Sequence, residues 1–510
     1  MKKSLPICLI FIFCFLISPG QQPGDSLWNR PLVHEINIVF PYPAFYDTLI
    51  VNKTADVYTS CQMTIDGRTM NAVGVKFKGN SSFNNPSRKK SMKVDLNEFV
   101  SGQKYDDIKK FNLNNGFKDP SFLREKITLD FMHERGIAAP RCSYAAVSIN
   151  GIARGLYTLV EEVNNDFCDQ RFGSSSGNRF KGDPSGDLRW YGSIDTSYFH
   201  RYELDNNSST NNWSDLIRLT DKINNSTAVQ FHDSLDAVIN TGSFIQHWAI
   251  DNLFANLDAY IGSGHNYYIY HESVSGKFEW IHWDVNESFG NFQQGQSLTQ
   301  IKNLPWNYIS NPNSRPLCNK MLGDTFFHSA VETAICQMNT FFTNQIMDPV
   351  IDSIVNSIRP YVYADTLKTF TNQQFDDNVN GDISINSPNG TQWIGGIKSF
   401  INARHSSLNT QLAFPGNCLV STDVQATQDA AGIELYPNPV HDQLSITVPE
   451  HLISSASTVY LTDLTGRIIF SKLINGPLST IDCRELSSGI YVVKIHSGQG
   501  QITKRVCISN

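Results

Sequence analysis

The sequence predicts an α+β chain with two lobes, a β-rich N-terminal lobe and a mostly helical second lobe, followed by a small all-β sandwich. Three observations carry this prediction. Strand-like alternation of apolar and polar residues dominates residues 30–162, helical spacing recurs through residues 163–415, and six short apolar segments follow one another within residues 433–510. With 510 residues, of which 40% are hydrophobic, the chain is long enough to bury several cores.

The N-terminus has the pattern of an export signal. Lys2 and Lys3 precede the apolar run Ile7–Ile17, which the turn-forming residues Ser18–Gly20 follow. Such a run is too short for a stable membrane span, so we expect residues 1–20 to be a cleaved signal peptide. Because no later segment reaches about 18 consecutive apolar residues, we expect an exported mature protein without a transmembrane span.

Composition narrows the function classes. The formal net charge of −7 argues against a general nucleic-acid-binding protein. None of the ten cysteines lies in Cys-x-x-Cys spacing, which argues against a zinc ribbon. An exported chain permits disulfides, but the sequence does not determine their pairing, and we expect some cysteines to be buried thiols.

The first lobe contains one predicted helix among strands. The helix begins at Asp119 and Pro120, a capping residue followed by a first-turn proline, and runs to about Arg135, where Gly136 ends it. Strands are predicted on both sides of this helix, over residues 73–78, 91–96, 144–149 and 156–162. The order of elements is therefore strands, one helix and further strands.

The second lobe is predicted to be mostly helical. It opens with a segment rich in Asn, Ser and Gly over residues 172–225, which we interpret as a loop-rich insertion between the lobes. Asp348 and Pro349, an N-cap and a first-turn proline, are expected to separate two of the later helices. Helical spacing occurs over residues 239–257, 326–347, 350–361 and 397–412.

A predicted β-hairpin in the second lobe has polar residues at its open end. Asn266 stands at the head of the first strand and Asp284 at the tail of the second, so the hairpin brings them together, and Asp258 can approach from the preceding loop. Two carboxylates and an amide, without cysteine, suit Mg²⁺ or Mn²⁺ rather than zinc. The same set suits phosphoryl transfer, in which an acid orients the acceptor hydroxyl and oxygen ligands hold metal on the phosphates. Turn capping by these residues is the structural alternative.

Two other patterns compete with this site. Asp251 lies near Asp258 in the sequence, but its spacing from Trp248 and Phe254 leaves it at a helix flank, so we rank it lower as the catalytic acid. The segment Gly173–Gly177 fits the Gly-x-Ser-x-Gly pattern of serine esterases. Since no apolar strand precedes it to build a nucleophile elbow, an esterase is the least favoured reading.

Several motifs, taken together, resemble the CotH-type atypical protein kinases. The resemblance covers about residues 30–412, and the common order of the motifs makes it specific, although each motif alone is weak. It implies a bilobed, atypical protein-kinase-like fold that transfers phosphate from ATP, with Mg²⁺ or Mn²⁺, to Ser or Thr of exported proteins. The matching blocks are Lys78–Ser82 (K-G-N-S-S), Lys89–Val94 (K-K-S-M-K-V), Asp119–Arg124 (D-P-S-F-L-R), Gly136–Pro140, Asn150–Glu161 (N-G-I-A-R-G-L-Y-T-L-V-E), His265–Tyr268 (H-N-Y-Y) and Trp283–Asp284 (W-D).

The resemblance gives roles to the polar residues of the hairpin and to one strand lysine. It implies that Asp258 is the catalytic acid or base and that Asp284 and Asn266 bind the metal. In a kinase-like first lobe, Lys93 is expected to reach the nucleotide phosphates, with its strand neighbours forming the buried alternate face. A solvated strand lysine is the alternative.

Further nucleotide contacts are expected from a glycine-containing turn and from the end of a strand. Backbone amides around Lys78, Asn80 and Ser81 are suited to phosphate oxygens. The family usually has Arg at the position of Lys78, and lysine keeps the charge but loses the bidentate fork. Glu161 ends an apolar strand where a kinase hinge would lie, so it is expected to contact the adenine or ribose, or else to cap the next turn.

The C-terminal segment carries a second resemblance. Residues 416–432 lack aromatic residues and have the composition of a linker, and residues 433–510 are predicted to form a β-sandwich. The motifs Leu435–Pro439 (L-Y-P-N-P), Asp463–Arg467 (D-L-T-G-R) and Ser488–Val492 (S-G-I-Y-V) resemble the C-terminal sorting domain of the type IX secretion system. The resemblance implies that this machinery is a partner and that the protein is secreted or attached to the outer cell surface. An accessory binding module is the alternative.

Two classes of function follow from the sequence. The first is a secreted or surface CotH-like kinase. The alternative is a catalytically inactive surface adhesion or coat-like binding protein that keeps the same fold. The family commonly has a further aspartate two residues after the W-D motif, where this chain has Asn286, and the loss of that negative charge supports the alternative.

Overall fold

The computed structural model describes most of the chain between residues 22 and 508. The described residues are 22–29, 31–387, 390–412, 434–437, 440–449, 458–463, 468–474, 476–484, 486, 489–497 and 500–508. The predicted signal peptide (residues 1–20) and linker (residues 416–432) lie outside them. Within the described residues, no helix combines the length and the apolar character needed to cross a lipid bilayer.

The N-terminal lobe is a closed barrel of seven strands in the order β1-β2-β3-β4-β5-β7-β6. Neighbouring strands are antiparallel except β1 and β6, whose parallel pairing closes the barrel. Alternate side chains fill its interior, as the strand-like pattern predicts. The strands are β1 (Val33–Val39), β2 (Thr59–Ile65), β3 (Arg68–Phe77), β4 (Met92–Asp95), β5 (Lys110–Asn114), β6 (Cys142–Ile149) and β7 (Ile152–Glu161). The helices of this lobe are α1 (Asp25–Trp28), α2 (Phe45–Ala55), α3 (Ser81–Asn84) and α4 (Arg124–His133).

Helix α4 begins later than the sequence predicts. The carboxylate of Asp119 accepts the backbone N–H of Arg124 at 2.9 Å, across a turn in which Phe122 has a φ of 58°. The same carboxylate accepts a hydrogen bond from the buried Arg124 guanidinium at 2.5 Å. This ion pair holds the turn and moves the start of the helix from Pro120 to Arg124. The expected stop at Gly136 is present as a left-handed residue with φ 69°.

The second lobe combines a small antiparallel sheet, in the order β11-β10-β8-β9, with ten helices among the described residues. The predicted hairpin is confirmed as β10–β11. Its helices are α5 (Asn165–Phe172), α6 (Ser214–Asn225), α7 (Phe231–Asp236), α8 (Thr241–Leu253), α9 (Leu298–Lys302), α10 (Pro316–Gly323), α11 (Thr325–Asn339), α12 (Asn344–Ala364), α13 (Asn372–Asn380) and α14 (Ile397–Gln411). Its strands are β8 (Arg179–Lys181), β9 (Glu203–Leu204), β10 (Tyr267–His271), β11 (Phe278–His282), β12 (Ile383–Ser387) and β13 (Gly390–Ile394).

Two predictions about the second lobe were wrong in part. Residues 172–225 are not only a loop, because Phe180 is fully buried beside Ile269 and draws β8 into the hairpin sheet. Helix α12 runs through Pro349 instead of beginning there. Thr343 caps it by accepting the N–H of Ile346, and the buried stripe of α12 continues past the exposed proline. The free-energy cost of the backbone hydrogen bond that Pro349 cannot donate is therefore smaller than the stabilisation from packing of α12.

A buried ion pair ties the barrel to the helical lobe. The ammonium of Lys89 lies 2.6 Å from Asp365, just beyond the end of α12, and both side chains are almost fully buried. Asp365 also accepts the backbone N–H of Leu156, in β7, at 3.1 Å. Because removal of one partner would leave a buried charge, this contact holds the two lobes in a defined arrangement.

The C-terminal region is all-β, as predicted. Two antiparallel sheets, in the orders β14-β15-β18 and β17-β16-β19-β20, share one apolar core. The prediction of six strands missed β18, because the inward-facing Ser479 breaks its apolar alternation. The strands are β14 (Glu434–Tyr436), β15 (Gln443–Thr447), β16 (Thr458–Asp463), β17 (Ile468–Leu473), β18 (Leu478–Asp482), β19 (Gly489–Ser497) and β20 (Gly500–Ile508).

The described cysteines include both free thiols and a disulfide-bonded residue. Cys61, Cys142, Cys168 and Cys318 are buried thiols, as expected for some of the cysteines. Cys336 is disulfide-bonded.

Candidate functional site

The hairpin brings Asn266 and Asp284 to the same end of the sheet. Tyr267 pairs with His282, and just beyond this pair the carbonyl oxygen of Asn266 accepts the N–H of Trp283 at 3.1 Å. Asn266 and Asp284 both have left-handed backbones, with φ of 60° and 53°. Asn and Asp adopt this conformation more readily than most residues, so the local sequence supports the two sharp turns.

Asp258 lies beside Asn266. The side-chain amide of Asn266 donates to the Asp258 carboxylate at 3.1 Å and to its backbone carbonyl at 2.8 Å. His265 approaches the other carboxylate oxygen at 3.0 Å. Burial alone would lower the pKa of His265, but its hydrogen bond to Asp258 raises it above the usual value. A turn containing Gly264, at φ 83°, lets the chain fold back across the eight-residue gap.

The Asp284 carboxylate has no hydrogen-bond partner among the described residues. The residue is exposed to solvent, and the charged groups that act on its carboxylate include Lys78 and Asp258. Burial raises the pKa of Asp284, Lys78 partly offsets this shift, and the neighbouring Asp258 adds to it. An unpaired carboxylate next to a second one is a position where a bound cation would be favourable. Two charged residues of the barrel lobe act on Asp284, namely Lys78, which follows β3, and Glu125, in the first turn of α4. We call Lys78, Glu125, Asp258, Asn266 and Asp284 the polar site.

Lys78 reaches the polar site from the end of β3. Its ammonium donates to the side-chain carbonyls of Asn112 at 2.9 Å and Asn114 at 3.2 Å. It also lies 5.0 Å from the ring centroid of Trp283. Burial lowers the pKa of Lys78, and the nearby Asp284 carboxylate opposes this shift.

The other predicted lysine, Lys93, lies on the same side of the barrel. Its ammonium pairs with Glu162 at 2.6 Å, and its strand neighbours Met92 and Val94 are fully buried, as expected for the alternate face. Burial alone would lower the pKa of Lys93, but the Glu162 carboxylate raises it above the usual value.

Glu161 is not brought to the polar site. Its carboxylate pairs with the guanidinium groups of Arg141 at 2.5 Å and Arg171 at 3.1 Å. Burial alone would raise the pKa of Glu161, but the two arginines lower it. The next residue, Glu162, faces Lys93 instead, because successive side chains at a strand end point to opposite sides. The carboxylate that faces Lys93 is therefore Glu162 and not Glu161.

Three further polar residues at or beside the polar site were not predicted from the sequence. Asn112 and Asn114 are two residues apart on β5 and face the same side, and Asn114 donates to both oxygens of Glu125 at 3.0 Å. Burial raises the pKa of Glu125 to about 7, and the neighbouring Asp284 adds to this shift. Apolar and polar residues alternate over Phe111–Asn114 (F-N-L-N). This alternation is the signal that could have identified the two asparagines.

The glycine-containing turn follows Lys78 directly. Gly79 has a φ of 88°, Asn80 is exposed, and Ser81 begins the one-turn helix α3. The side chain of Asn80 accepts from Asn84 at 3.3 Å. Asn80 and Ser81 are thus adjacent to Lys78 along the chain, and their predicted contacts to phosphate remain predictions.

The competing candidates lie elsewhere. Asp251 is buried and accepts from His282 at 2.7 Å, and His282 lies 2.5 Å from His247, so this chain of polar groups is internal to the packing of α8 against β11. The serines at residues 174–176 follow helix α5 in an exposed loop, without the strand-to-helix turn of an esterase nucleophile. A surface cavity of about 540 Å³ beside Arg68 and Asp107 includes no residue of the polar site.

The polar site offers oxygen donors of the kind that Mg²⁺ or Mn²⁺ prefers. Within the part of the chain that the structure describes, no three His, Cys, Asp or Glu side chains form a metal-binding group. Mg²⁺ usually takes one or two protein carboxylates and completes its shell with phosphates and water. The unpaired carboxylate of Asp284 and the side-chain oxygen of Asn266, which no described residue hydrogen-bonds, fit that role.

A β-barrel lobe, a helical lobe and a polar site with carboxylates and lysines define a mixed α/β protein whose side chains suit phosphate chemistry. The chain belongs to the CotH kinase protein family, whose model matches residues 75–408. Residues 434–509 match the secretion system C-terminal sorting domain. This domain supports export by the type IX machinery to the cell surface.

The individual proteins that this chain resembles have low sequence identity to it. The inner spore coat protein H of Bacillus subtilis (strain 168) is 24% identical over 294 residues, which are 57% of this chain and 78% of that protein. A solved structure of PorZ, a surface component of the type IX secretion system of Porphyromonas gingivalis, has 19% identity and a TM-score of 0.15 over 17% of this chain and 13% of PorZ. The twitchin kinase region of C. elegans has 10% identity and a TM-score of 0.19 over 89% and 74% of the two chains. At these TM-scores neither structure carries an argument about this protein.

Proposed function

We propose that this protein is a secreted or surface-attached kinase of the CotH type, which transfers the γ-phosphoryl group of ATP to Ser or Thr hydroxyls of exported proteins. The observation that carries the proposal is the juxtaposition of Asp258, hydrogen-bonded to Asn266, with the unpaired Asp284. Family membership and the sorting domain support the reaction class and the exported substrates.

Four residues of the polar site and the neighbouring Lys93 have proposed roles. Asp284 and Asn266 hold Mg²⁺ or Mn²⁺ on the nucleotide phosphates, and Lys78 contacts those phosphates. Lys93 neutralises Glu162 in the structure, so we propose that it contributes less net charge to the nucleotide than Lys78 does. When bound, the metal ion supplies neutralisation of the phosphate charge.

In the proposed reaction, the substrate hydroxyl oxygen forms a bond to the γ-phosphorus while the bond to the β–γ bridging oxygen breaks, and ADP leaves. Asp258 accepts the hydroxyl proton. Its hydrogen bonds to His265 and Asn266 keep the carboxylate oriented while the proton moves. Asn80 and Ser81 offer backbone N–H groups to phosphate oxygens from the turn after Lys78.

The alternative is a catalytically inactive surface protein with adhesive or coat-like binding. Asn286 favours it, because the family's usual aspartate at that position would add a negative charge near the metal. An amide carbonyl can still bind the ion, although more weakly than a carboxylate does.

The experiment is phosphorylation of the purified mature protein and candidate exported proteins with labelled ATP and Mg²⁺ or Mn²⁺. We expect Asp258→Asn to lower transfer by roughly two or more orders of magnitude while ATP binding is retained. We expect Asp284→Ala to abolish metal-dependent nucleotide binding, measured by calorimetry, with little change in the melting temperature of the nucleotide-free protein. Asp352→Asn, on the exposed face of α12, is the matched control.

Different results separate the alternatives. Transfer by Asp258→Asn at the wild-type rate removes Asp258 from the mechanism. Failure of the wild-type protein to bind or transfer from ATP supports the inactive binding protein. A large loss of stability in nucleotide-free Asp284→Ala supports a turn-capping role for that residue.

A further inference from the structure

A continuous chain of hydrogen bonds crosses the barrel side of the polar site. Glu125 accepts from Asn114, whose carbonyl accepts from Lys78, and the carbonyl of Asn112 accepts from the same ammonium. Asn112 in turn donates to Glu162 at 2.6 Å. The chain links α4, β5, β3 and the end of β7, so it joins four separate segments around one lysine.

Lys78 determines which way the asparagine side chains face. An ammonium group only donates hydrogen bonds, so each amide carbonyl must face Lys78, and each amide N–H group then faces its glutamate. Asn112 is almost fully buried, with 1% of its surface exposed, and cannot reorient toward solvent. Lys78 is therefore held by two carbonyl oxygens whose orientation is predetermined.

We call the two carbonyl acceptors of Asn112 and Asn114 the clamp on Lys78. The clamp leaves one N–H group of the Lys78 ammonium unused, and it does not neutralise the positive charge. A lysine ammonium has three N–H groups, and the described residues accept two of them. Both direct acceptors are neutral, unlike the partner of Lys93, which is the Glu162 carboxylate. Burial also disfavours the charged form of Lys78, so a nearby anionic ligand would be favoured.

We propose that Asn112 and Asn114 are positioning residues, which hold the Lys78 ammonium beside Asp284 so that its third N–H binds the phosphate chain of the nucleotide. This inference rests on the proposed function, because it assumes that the ligand at Asp284 is a nucleotide with its metal ion. Neutral acceptors orient the lysine without cancelling its charge, which is what recognition of a phosphate chain requires.

The first test adds a charge to the clamp. Asn114 is only partly buried, so Asn114→Asp changes one atom at a position that tolerates it better than Asn112. The new side chain places an oxygen against the Glu125 carboxyl group, so the two groups share a proton and carry a negative charge beside Lys78, which repels phosphate. We expect binding of adenylyl imidodiphosphate with Mg²⁺, measured by calorimetry on the mature protein, to weaken at least tenfold. Wild-type affinity in a folded Asn114→Asp variant overturns the proposal.

The second test asks whether Asn114 acts through Lys78. We expect Asn114→Ala to weaken binding of the same nucleotide about fivefold in the wild-type background and less than twofold in Lys78→Met, since the clamped group is then gone. A merely structural role would weaken binding equally in both backgrounds. Equal effects, or no effect of Asn114→Ala in the wild-type background, contradict the proposal, and this pair decides the matter if Asn114→Asp does not fold.

A matched control is available one residue along the chain. The side chain of Asn115 donates to the carbonyl of Lys89 at 2.7 Å, whereas the side-chain acceptors of the Lys78 ammonium among the described residues are Asn112 and Asn114. Asn115→Ala is expected to leave nucleotide affinity within twofold in both backgrounds. If the wild-type protein does not bind the nucleotide at all, the proposed function fails. If the wild-type protein binds it and Asn114 proves indifferent, only the positioning role fails.

Discussion

At the residue scale, the partner of each charged side chain sets its properties. Glu161 and Glu162 are neighbours on one strand, yet Glu161 is held by two arginines and Glu162 by Lys93 and Asn112. Glu125, whose hydrogen-bond partner is a neutral amide and whose neighbour Asp284 is a carboxylate, has a raised pKa. Burial is common to all three, so the identity of the partner decides the direction of the shift.

The raised pKa of Glu125 predicts a pH-dependent stability. Between its usual value of 4.5 and about 7, the folded protein keeps a proton that the unfolded chain releases. The contribution of Glu125 to the free energy of unfolding therefore falls as the pH rises through this window and stays low above it. We expect Glu125→Gln to be more stable than the wild type at pH 8 by on the order of 2 kcal/mol, and equally stable at pH 4, as measured by denaturant unfolding.

Glu161→Gln is the control of opposite sign. Two arginines lower the pKa of Glu161, so its ionised form stabilises the fold above the usual carboxyl pKa, and this contribution is lost as the pH falls. The Gln variant should be less stable than the wild type at pH 7 and should approach it in acid. A Glu125→Gln variant with the same pH profile as Glu161→Gln would show that the Glu125 carboxylate is ionised without cost.

At the scale of elements, α4 and the hairpin position the site from two directions. The hairpin brings Asn266 and Asp284 together through backbone pairing, and two side-chain hydrogen bonds to Asp258 also hold Asn266. Helix α4 carries Glu125 in its first turn, directly after the Asp119–Arg124 ion pair. The start of α4 therefore matters for the site as well as for the fold.

We predict that Asp119→Ala destabilises the protein by about 3–5 kcal/mol, because it removes the acceptor of the Arg124 backbone N–H and leaves the Arg124 guanidinium buried without its charge partner. Denaturant unfolding measures this loss. Asp324→Ala is the matched control, since Asp324 caps α11 by accepting from Phe326 and Phe327 without a buried cation, and it should cost about 1 kcal/mol. Similar losses in both variants would mean that the buried ion pair contributes no stability beyond the backbone hydrogen bond that Asp119 accepts.

At the scale of the whole molecule, the sorting domain predicts how the precursor is processed. In a host with type IX machinery, we expect surface or culture-derived protein to lack both the N-terminal signal and the domain at residues 433–510, and mass spectrometry checks this. A variant without residues 433–510 should remain inside the outer membrane, because the machinery has no domain to recognise. Surface material with peptides through Asn510 at full abundance would contradict the prediction.

The sequence by itself determined the features that depend on neighbouring residues. Strand alternation, the hairpin around residues 267–282, the all-β C-terminal region and the ordered family motifs are local patterns, and the structure or the family comparison confirms each of them. The proximity of Asn266 to Asp284 belongs to this group, because a hairpin links positions that are close in the chain.

Only the tertiary structure decided the features that depend on distant segments. The barrel closes through parallel pairing of β1 with β6, which stand at opposite ends of the sheet order with five strands between them and lie far apart in the sequence. The clamp on Lys78 requires contacts among α4, β3, β5 and β7, and no local sequence pattern predicts those contacts. The buried stripe of α12 likewise overrides the stop signal at Pro349, since packing against other helices outweighs a local preference worth a few kcal/mol.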